Sequence, residues 1–251
     1  MLILLPPSEG KAAARRGRPL DLASLSFPAL TEPRERVVDA LVELCSGDPT
    51  VAARTLGIGP TQLDLVDLDR ELRLTPTQRA DRTYTGVLYD ALDVATLSPA
   101  AKRRAATRVA VTSSVFGLVR TGDRIPAYRL SGDTTLPGLG AVAATWREHL
   151  GPVVTDAVGS GLLVDLRSGT YVGFWRPEGV RTATVRVLHE HLGRRKVVSH
   201  FNKATKGRVV RALLEAGVDP RTPARLAEAL RDLGWAVEMD GDRLDVVVSE
   251  L

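Results

Sequence analysis

The run Ser199-His200-Phe201-Asn202-Lys203-Ala204-Thr205-Lys206-Gly207 gathers an amide, two ammonium groups and two hydroxyls in one short stretch. The strand-like Val197 and Val198 deliver it into a small-residue turn that opens onto an amphipathic helix expected from Lys206. Helix N-termini carry unpaired backbone N–H groups and a partial positive charge, so Lys203 and Lys206 placed there describe an anion site. Between Arg194 and Arg211 the chain has seven Lys/Arg and no Asp or Glu, which makes the local field positive. A solvated basic helix start is the competing interpretation. Lys203 is also a candidate electrophile or nucleophile, on condition that burial depresses its pKa.

Other polar tips follow apolar segments. Ser8-Glu9-Gly10-Lys11 trails a strand but lacks the upstream glycine and the hydroxyl of a Walker loop. Ser8 and Lys11 suit a carboxylate or phosphate, or an ordinary loop. Tyr89 and Asp93 fall one helical turn apart, with Tyr84 just before, either as site residues or as core phenols with a wet hydroxyl. Ser113-Ser114 ends a strand ahead of Arg120, Tyr128 and Arg129, where arginines suit bidentate recognition of an anion. Arg120 pairing with Asp123 is the alternative. Asp165 is a candidate base, with Ser168 and Tyr171 beside it and Asn202 completing the polar set, although Arg167-Ser168-Gly169 also makes a good turn. The catalytic candidates are therefore Lys203, Asp165 and Tyr89. The candidate anion ligands are Ser8, Lys11, Arg120, Tyr128, Arg129, Ser168, Tyr171, Asn202, Lys203 and Lys206. His189-Glu190-His191 reads as polar surface, no metal-ligand spacing is present, and no metal or cofactor is expected.

A different signal lies at Gly57-Ile58-Gly59, which separates two helical patterns. Two glycines allow a hairpin to approach a sugar–phosphate backbone, and Lys203 with Lys206 would complement it in binding DNA. A simple helix–turn–helix corner explains the same glycines. Asp64, Asp67, Asp69 and Glu71 in the next helix would repel phosphates.

The elements that must position these residues are legible in outline. Leu2–Leu5 is a buried strand. Residues 12–34 are a small, basic, Pro-punctuated surface excursion. Helices are expected over 35–44, 49–56 and 60–68, from the Thr75-Pro76 cap toward Leu92, and from the Ser98-Pro99 cap. The segment 108–115 is a strand, and 140–150 is a helix stopped by Gly151-Pro152. Strands are expected at 162–166, 171–175, 182–187 and 196–200, and helices over 206–216 and 222–233. A terminal hairpin turns at Asp240-Gly241 with type I′ geometry. The fold class is α+β: one mixed-sheet domain over 1–251 with a helical, helix-hairpin-helix-like insertion at 35–75.

The 251 residues are 44% apolar and 25% charged, and 34 Lys+Arg against 30 Asp+Glu give a net charge of +4. No run is long enough to cross a membrane. The opening strand, stopped by Pro6-Pro7, does not look like a signal peptide. A single cysteine, Cys45, makes no internal disulfide, so a cytoplasmic location is expected. Aromatics at 4% are few for a binder built on base stacking, so contacts to phosphates should dominate if nucleic acid is the ligand.

Taken in order, these segments resemble the YaaA family of peroxide-stress proteins. The matching residues are Leu4-Leu5-Pro6-Pro7-Ser8-Glu9-Gly10-Lys11, Tyr84-Thr85-Gly86 with Tyr89-Asp90-Ala91-Leu92-Asp93, and Ser113 to Arg120 with Ile125-Pro126-Ala127-Tyr128-Arg129-Leu130. Asp165 to Tyr171 and Phe201 to Gly207 complete the set. The resemblance implies a mixed α/β domain with a helix-hairpin-helix insertion, a basic cleft, affinity for duplex or branched DNA, and peroxide protection by restraint of free iron. Many members have Leu-Tyr-Gly where this chain has Val115-Phe116-Gly117, and an asparagine-containing segment at Leu163-Val164-Asp165. Two functions follow as expectations. One is a stress protein that binds DNA through Lys11, Arg120, Arg129, Lys203 and Lys206. The other is an enzyme acting on a small anion, such as a nucleotide or nucleobase derivative, in the same cleft. A closed pocket favours the second, and an open duplex-wide groove the first.

Overall fold

β1 (Leu2–Leu5) is apolar at every position and buried throughout, as a central strand covered on both faces must be. The computed structural model describes residues 1–191, 194–197 and 199–249. Helices dominate the segment after β1: α1 (Thr31–Ser46), α2 (Pro49–Leu56), α3 (Asp64–Arg70), the short strand β2 (Gln78–Arg79), α4 (Ala80–Thr83), α5 (Val87–Leu92) and α6 (Pro99–Arg108). Next come β3 (Val109–Ser113), β4 (Gly117–Arg120), β5 (Arg124–Ile125), β6 (Thr135–Leu136), β7 (Gly140–Ala141) and α7 (Val142–Val158). The chain continues through β8 (Leu163–Asp165), α8 (Gly169–Val172), β9 (Thr182–His191), β10 (Arg194–Lys196), α9 (Ser199–Ala216), α10 (Pro223–Asp232), β11 (Ala236–Asp240) and β12 (Arg243–Val248).

An eight-stranded mixed sheet runs β11-β12-β9-β8-β1-β3-β4, with β10 paired on β9. Strands β12, β9, β8, β1 and β3 are mutually parallel, and β4, β10 and β11 add antiparallel partners. Leu4 of β1 sits opposite Ala110 of β3 on one side and Asp165 of β8 on the other. The carboxyl ends of these three strands therefore open on one edge. After β1 the chain first builds toward β3 and β4, then crosses to β8 and β9, so that edge is a switch point, where open α/β sheets bind ligands. The fold is α+β around one mixed sheet.

Several local expectations change. Instead of a helix from Thr75, Gln78 and Arg79 pair with β5, and the Ala80 and Asp81 amides reach the Asp123 and Thr121 carbonyls. Long-range backbone partners outcompete the cap. Helix α7 runs through Pro152 because Trp146, Leu150, Val154 and Val158 continue one buried stripe, and Gly151 leaves room for Trp175. The strand expected at 171–175 is replaced by the four-residue α8. Only Gly241 of the terminal turn has positive φ, which excludes type I′. His189 is buried rather than on a polar surface. Leu22, Leu25, Leu30 and Arg34 carry the 12–34 excursion into the core. The fully buried Arg34 guanidinium donates to the carbonyls of Ser26, Phe116 and Leu118.

Candidate functional site

The loop after β1 is tied to the segment before α5 by main-chain and hydroxyl bonds. The Ala12 amide donates to the Thr83 carbonyl (2.8 Å), the Thr85 amide to Ser8 Oγ (3.1 Å), and Thr85 Oγ1 to the Gly10 carbonyl (3.1 Å). Ser8 Oγ in turn donates to the Gly10 carbonyl at 2.5 Å, so this hydroxyl holds the loop. Lys11 turns inward. Its Nζ donates to the Ser8 carbonyl (2.7 Å) and the Glu9 carbonyl (3.3 Å), and lies 4.2 Å from the centre of the Tyr128 ring. Burial lowers its pKa to about 8, with Glu9 opposing and Arg129 assisting the drop. Lys11 is thus part of the floor, where it secures a loop and stacks on a phenol.

All four tyrosines of the chain converge here. Tyr84 and Tyr128 share a hydrogen bond at 3.0 Å, and Tyr128 meets Ser113 Oγ at 2.8 Å, which also accepts from the Phe116 amide. Tyr84 stacks on Tyr89 with ring centroids 5.5 Å apart, and the Tyr89 hydroxyl donates to the Pro6 carbonyl (2.6 Å). Tyr171 packs edge-on to Phe174. Burial raises the pKa of every one of these phenols, so they act as neutral donors and not as bases. Phe116 lies edge-on to Tyr128 and is fully buried, a position where an apolar ring needs no partner.

At the end of β8, Asp165 is clamped by Arg167. Arg167 Nε donates to one carboxylate oxygen (2.9 Å) and Nη2 to the other (2.7 Å), while the Arg167 amide adds a third bond. Both side chains are buried. A carboxylate with both oxygens engaged this way is not placed to take a substrate proton, so the candidate base becomes the anchor of the 166–171 turn. Arg167 Nη1 also donates to the Tyr171 carbonyl (3.0 Å).

Helix α9 supplies the opposite wall. It begins at Ser199, so the Asn202-Lys203 motif lies on its first turns rather than in a preceding strand and turn. The expectations that rested on Val198 and on the side chains of residues 199–201 fall outside the described residues. A Cβ at Gly207 would lie 2.2 Å from the Leu88 carbonyl oxygen, so glycine is what lets α9 approach α5. That approach carries Lys203 to the cavity. Lys203 is exposed, so the burial that a nucleophilic role required is missing. Lys206 instead points inward, donates to the Leu166 carbonyl (3.1 Å), and has its pKa lowered by burial against the pull of Asp165. The buried Asn202 Oδ1 has no hydrogen-bond partner among the described residues.

These elements enclose a cavity of about 340 Å³ lined by residues of the 6–10 loop, Thr85 to Tyr89, Ser131, Ser168, Thr170, Tyr171 and Lys203. Ser131 also lines a more open groove of about 570 Å³ that contains Leu56, Gly57, Arg129 and Asp133. The charged lining among the described residues is mixed: Lys203 and Glu9 in the cavity, Arg129 and Asp133 in the groove. Arg129 Nη1 pairs with Glu9 across the boundary.

Two placements differ from expectation. Arg120 lies away from the cleft: it pairs in register with Ala110, toward the start of β3, and donates through Nη1 to the Thr107 carbonyl (2.6 Å). Its amide, not its guanidinium, meets Asp123 (2.8 Å). Asp69, expected on a repelling acidic face, is fully buried under the site. Its Oδ1 accepts from the Arg129 amide (2.9 Å), Oδ2 has no hydrogen-bond partner among the described residues, and burial lifts its pKa to about 8. Asp64 and Asp67 remain exposed. Asp69 sits one turn from the buried Val66, and a carboxylate on an apolar stripe was the signal that could have found it. Gly57 has φ +63° and ends α2 as its left-handed cap, whereas Gly59 is extended and Ile58 packs on the core.

Cys45 is buried, and its thiol is pushed up to about 12 by burial and by Asp69. No helix among the described residues is long and apolar enough to cross a membrane.

A family model described as peroxide stress protein YaaA matches residues 1–240. A UPF0246 protein of Streptomyces coelicolor is 54% identical over the full length of both chains. One of Corynebacterium efficiens is 43% identical over 98% of each, and one of Shewanella loihica 27% identical over 86% of each.

Proposed function

The chain belongs to the peroxide stress protein YaaA family, and from that premise we propose that it serves the stress response by binding a DNA strand across the mouths of the cavity and the neighbouring groove. The observation that carries this reading is that Ser131 lines both, with Lys203 in the cavity and Arg129 beside Gly57 in the groove. Lys203 and Arg129 make the phosphate contacts, and Gly57-Ile58-Gly59 adds a second, non-specific grip. Two such contacts give a slope of log affinity on log salt of about −2, far shallower than a strongly basic groove would give. The restraint on free iron is read as a consequence of this binding.

The test is a salt series on a branched DNA by fluorescence anisotropy with the parent and Lys203→Ala. The variant is expected to bind several-fold more weakly with a slope reduced by about 1. Equal affinity and slope for both proteins would remove Lys203 from the contact. Complementation of a peroxide-sensitive strain, with free iron read by electron spin resonance, then ties binding to the response.

The compactness of the 340 Å³ cavity favours a second reading, an enzyme acting on a nucleotide or nucleobase derivative. Turnover of a free nucleotide by the purified protein would establish it, and a nucleotide panel returned unchanged would leave binding as the role.

A further inference from the structure

The cavity and the groove differ in what they can hold. At about 340 Å³ the cavity is at the small end of ligand pockets, with room for one base and its sugar and none for a duplex. It is also a poor phosphate site. Glu9 lines it with its Oε2 paired to Arg129, and an anion entering there would meet that carboxylate as well as Lys203. A neutral heterocycle bearing an exocyclic amino group meets the reverse situation, because the carboxylate accepts from the amine.

The walls have the matching chemistry. Tyr89 is held rigidly by the Tyr84 ring on one side and by its bond to the Pro6 carbonyl, and Tyr171 by Phe174. Both tyrosines line the cavity, together with the exposed hydroxyl residues Ser168 and Thr170. Fixed aromatic walls with hydroxyls and one carboxylate suit a flat ring with donors and acceptors on its edge.

We propose that the cavity receives a single unpaired, amino-bearing nucleobase from a DNA strand whose phosphates stay outside, near Lys203 and Arg129. This rests on the DNA reading above and adds to it the part of the strand that enters. An unpaired base enters most readily because least stacking and pairing must be broken.

The experiment compares three duplexes by anisotropy: fully paired, with one bulged cytidine, and with an abasic residue at the bulge. The parent is expected to bind the cytidine bulge about tenfold more tightly than the other two, the low end of what stacking one base contributes. Thr170→Trp, at an exposed position, is expected to fill the cavity and abolish that preference, so that the three duplexes bind alike. An abasic bulge bound as tightly as the cytidine bulge means that the protein reads bending, which overturns the base site. Equal binding of bulged and paired DNA overturns it too, with the DNA reading intact. Absence of binding to all three removes both.

Discussion

The floor of the cleft and its rim are built from similar residue types and do different work. The floor holds Lys11, Tyr84, Tyr128, Ser113, Asp165 and Arg167, and its polar atoms are engaged with one another or with backbone. The rim holds Lys203, Ser168, Thr170 and Glu9, which are exposed and line the cavity. Lysine makes the contrast sharpest. Burial lowers the Lys11 pKa toward neutrality while its contacts fix a loop; Lys203 keeps solvent access at the cavity. In this molecule a chemically promising residue type at a strand end is more often a strut than a ligand.

Breaking the floor should cost folding stability. Arg167→Ala leaves Asp165 buried without its partner, and removing one member of such a pair costs about 3–5 kcal/mol. Denaturant unfolding should show that loss, and a change below about 1 kcal/mol would mean that the clamp is not structural. Gly207→Ala tests the wall. Alanine favours a helix by roughly 1 kcal/mol over glycine, but a Cβ 2.2 Å from a carbonyl oxygen forces a backbone shift costing about 1–3 kcal/mol. A net loss of stability is expected, together with weaker DNA binding as Lys203 moves. A variant more stable than the parent would contradict the close approach.

Asp69→Asn sharpens the comparison through pH. The folded pKa of Asp69 is raised to about 8, so between its ordinary value near 3.8 and about 8 the folded state binds more protons than the unfolded one. Parent stability from this group therefore declines as pH rises through that window. Lys11, lowered to about 8, acts only above it, where stability rises with pH until the unfolded lysine also loses its proton. The asparagine variant should gain on the parent from pH 5 to pH 8 in melting temperature, whereas a pH-independent difference would rule out the buried carboxylate as the source. The smallest effect belongs to the rim: Lys203→Ala should change stability by less than about 0.5 kcal/mol, and a larger loss would make it a floor residue.

The buried thiol bears on the stress role. Reaction with peroxide needs an accessible thiolate, and Cys45 offers neither access nor a lowered pKa.

Local chemistry was legible in the sequence because each such decision involves neighbours a few residues apart. The span of α2, the Ser98 and Thr222 caps, the apolar parallel strands and the polar tips at strand ends are of this kind. Tertiary structure alone decided which of those polar groups would be buried and paired. Arg129 meets Glu9 120 positions away and Asp69 60 positions away, and Lys11 is lowered by the tyrosines and loops that close over it. Desolvation depends on everything packed around a group, and that surrounding is assembled from distant segments, so no local pattern could distinguish the lysine of the floor from the lysine of the rim.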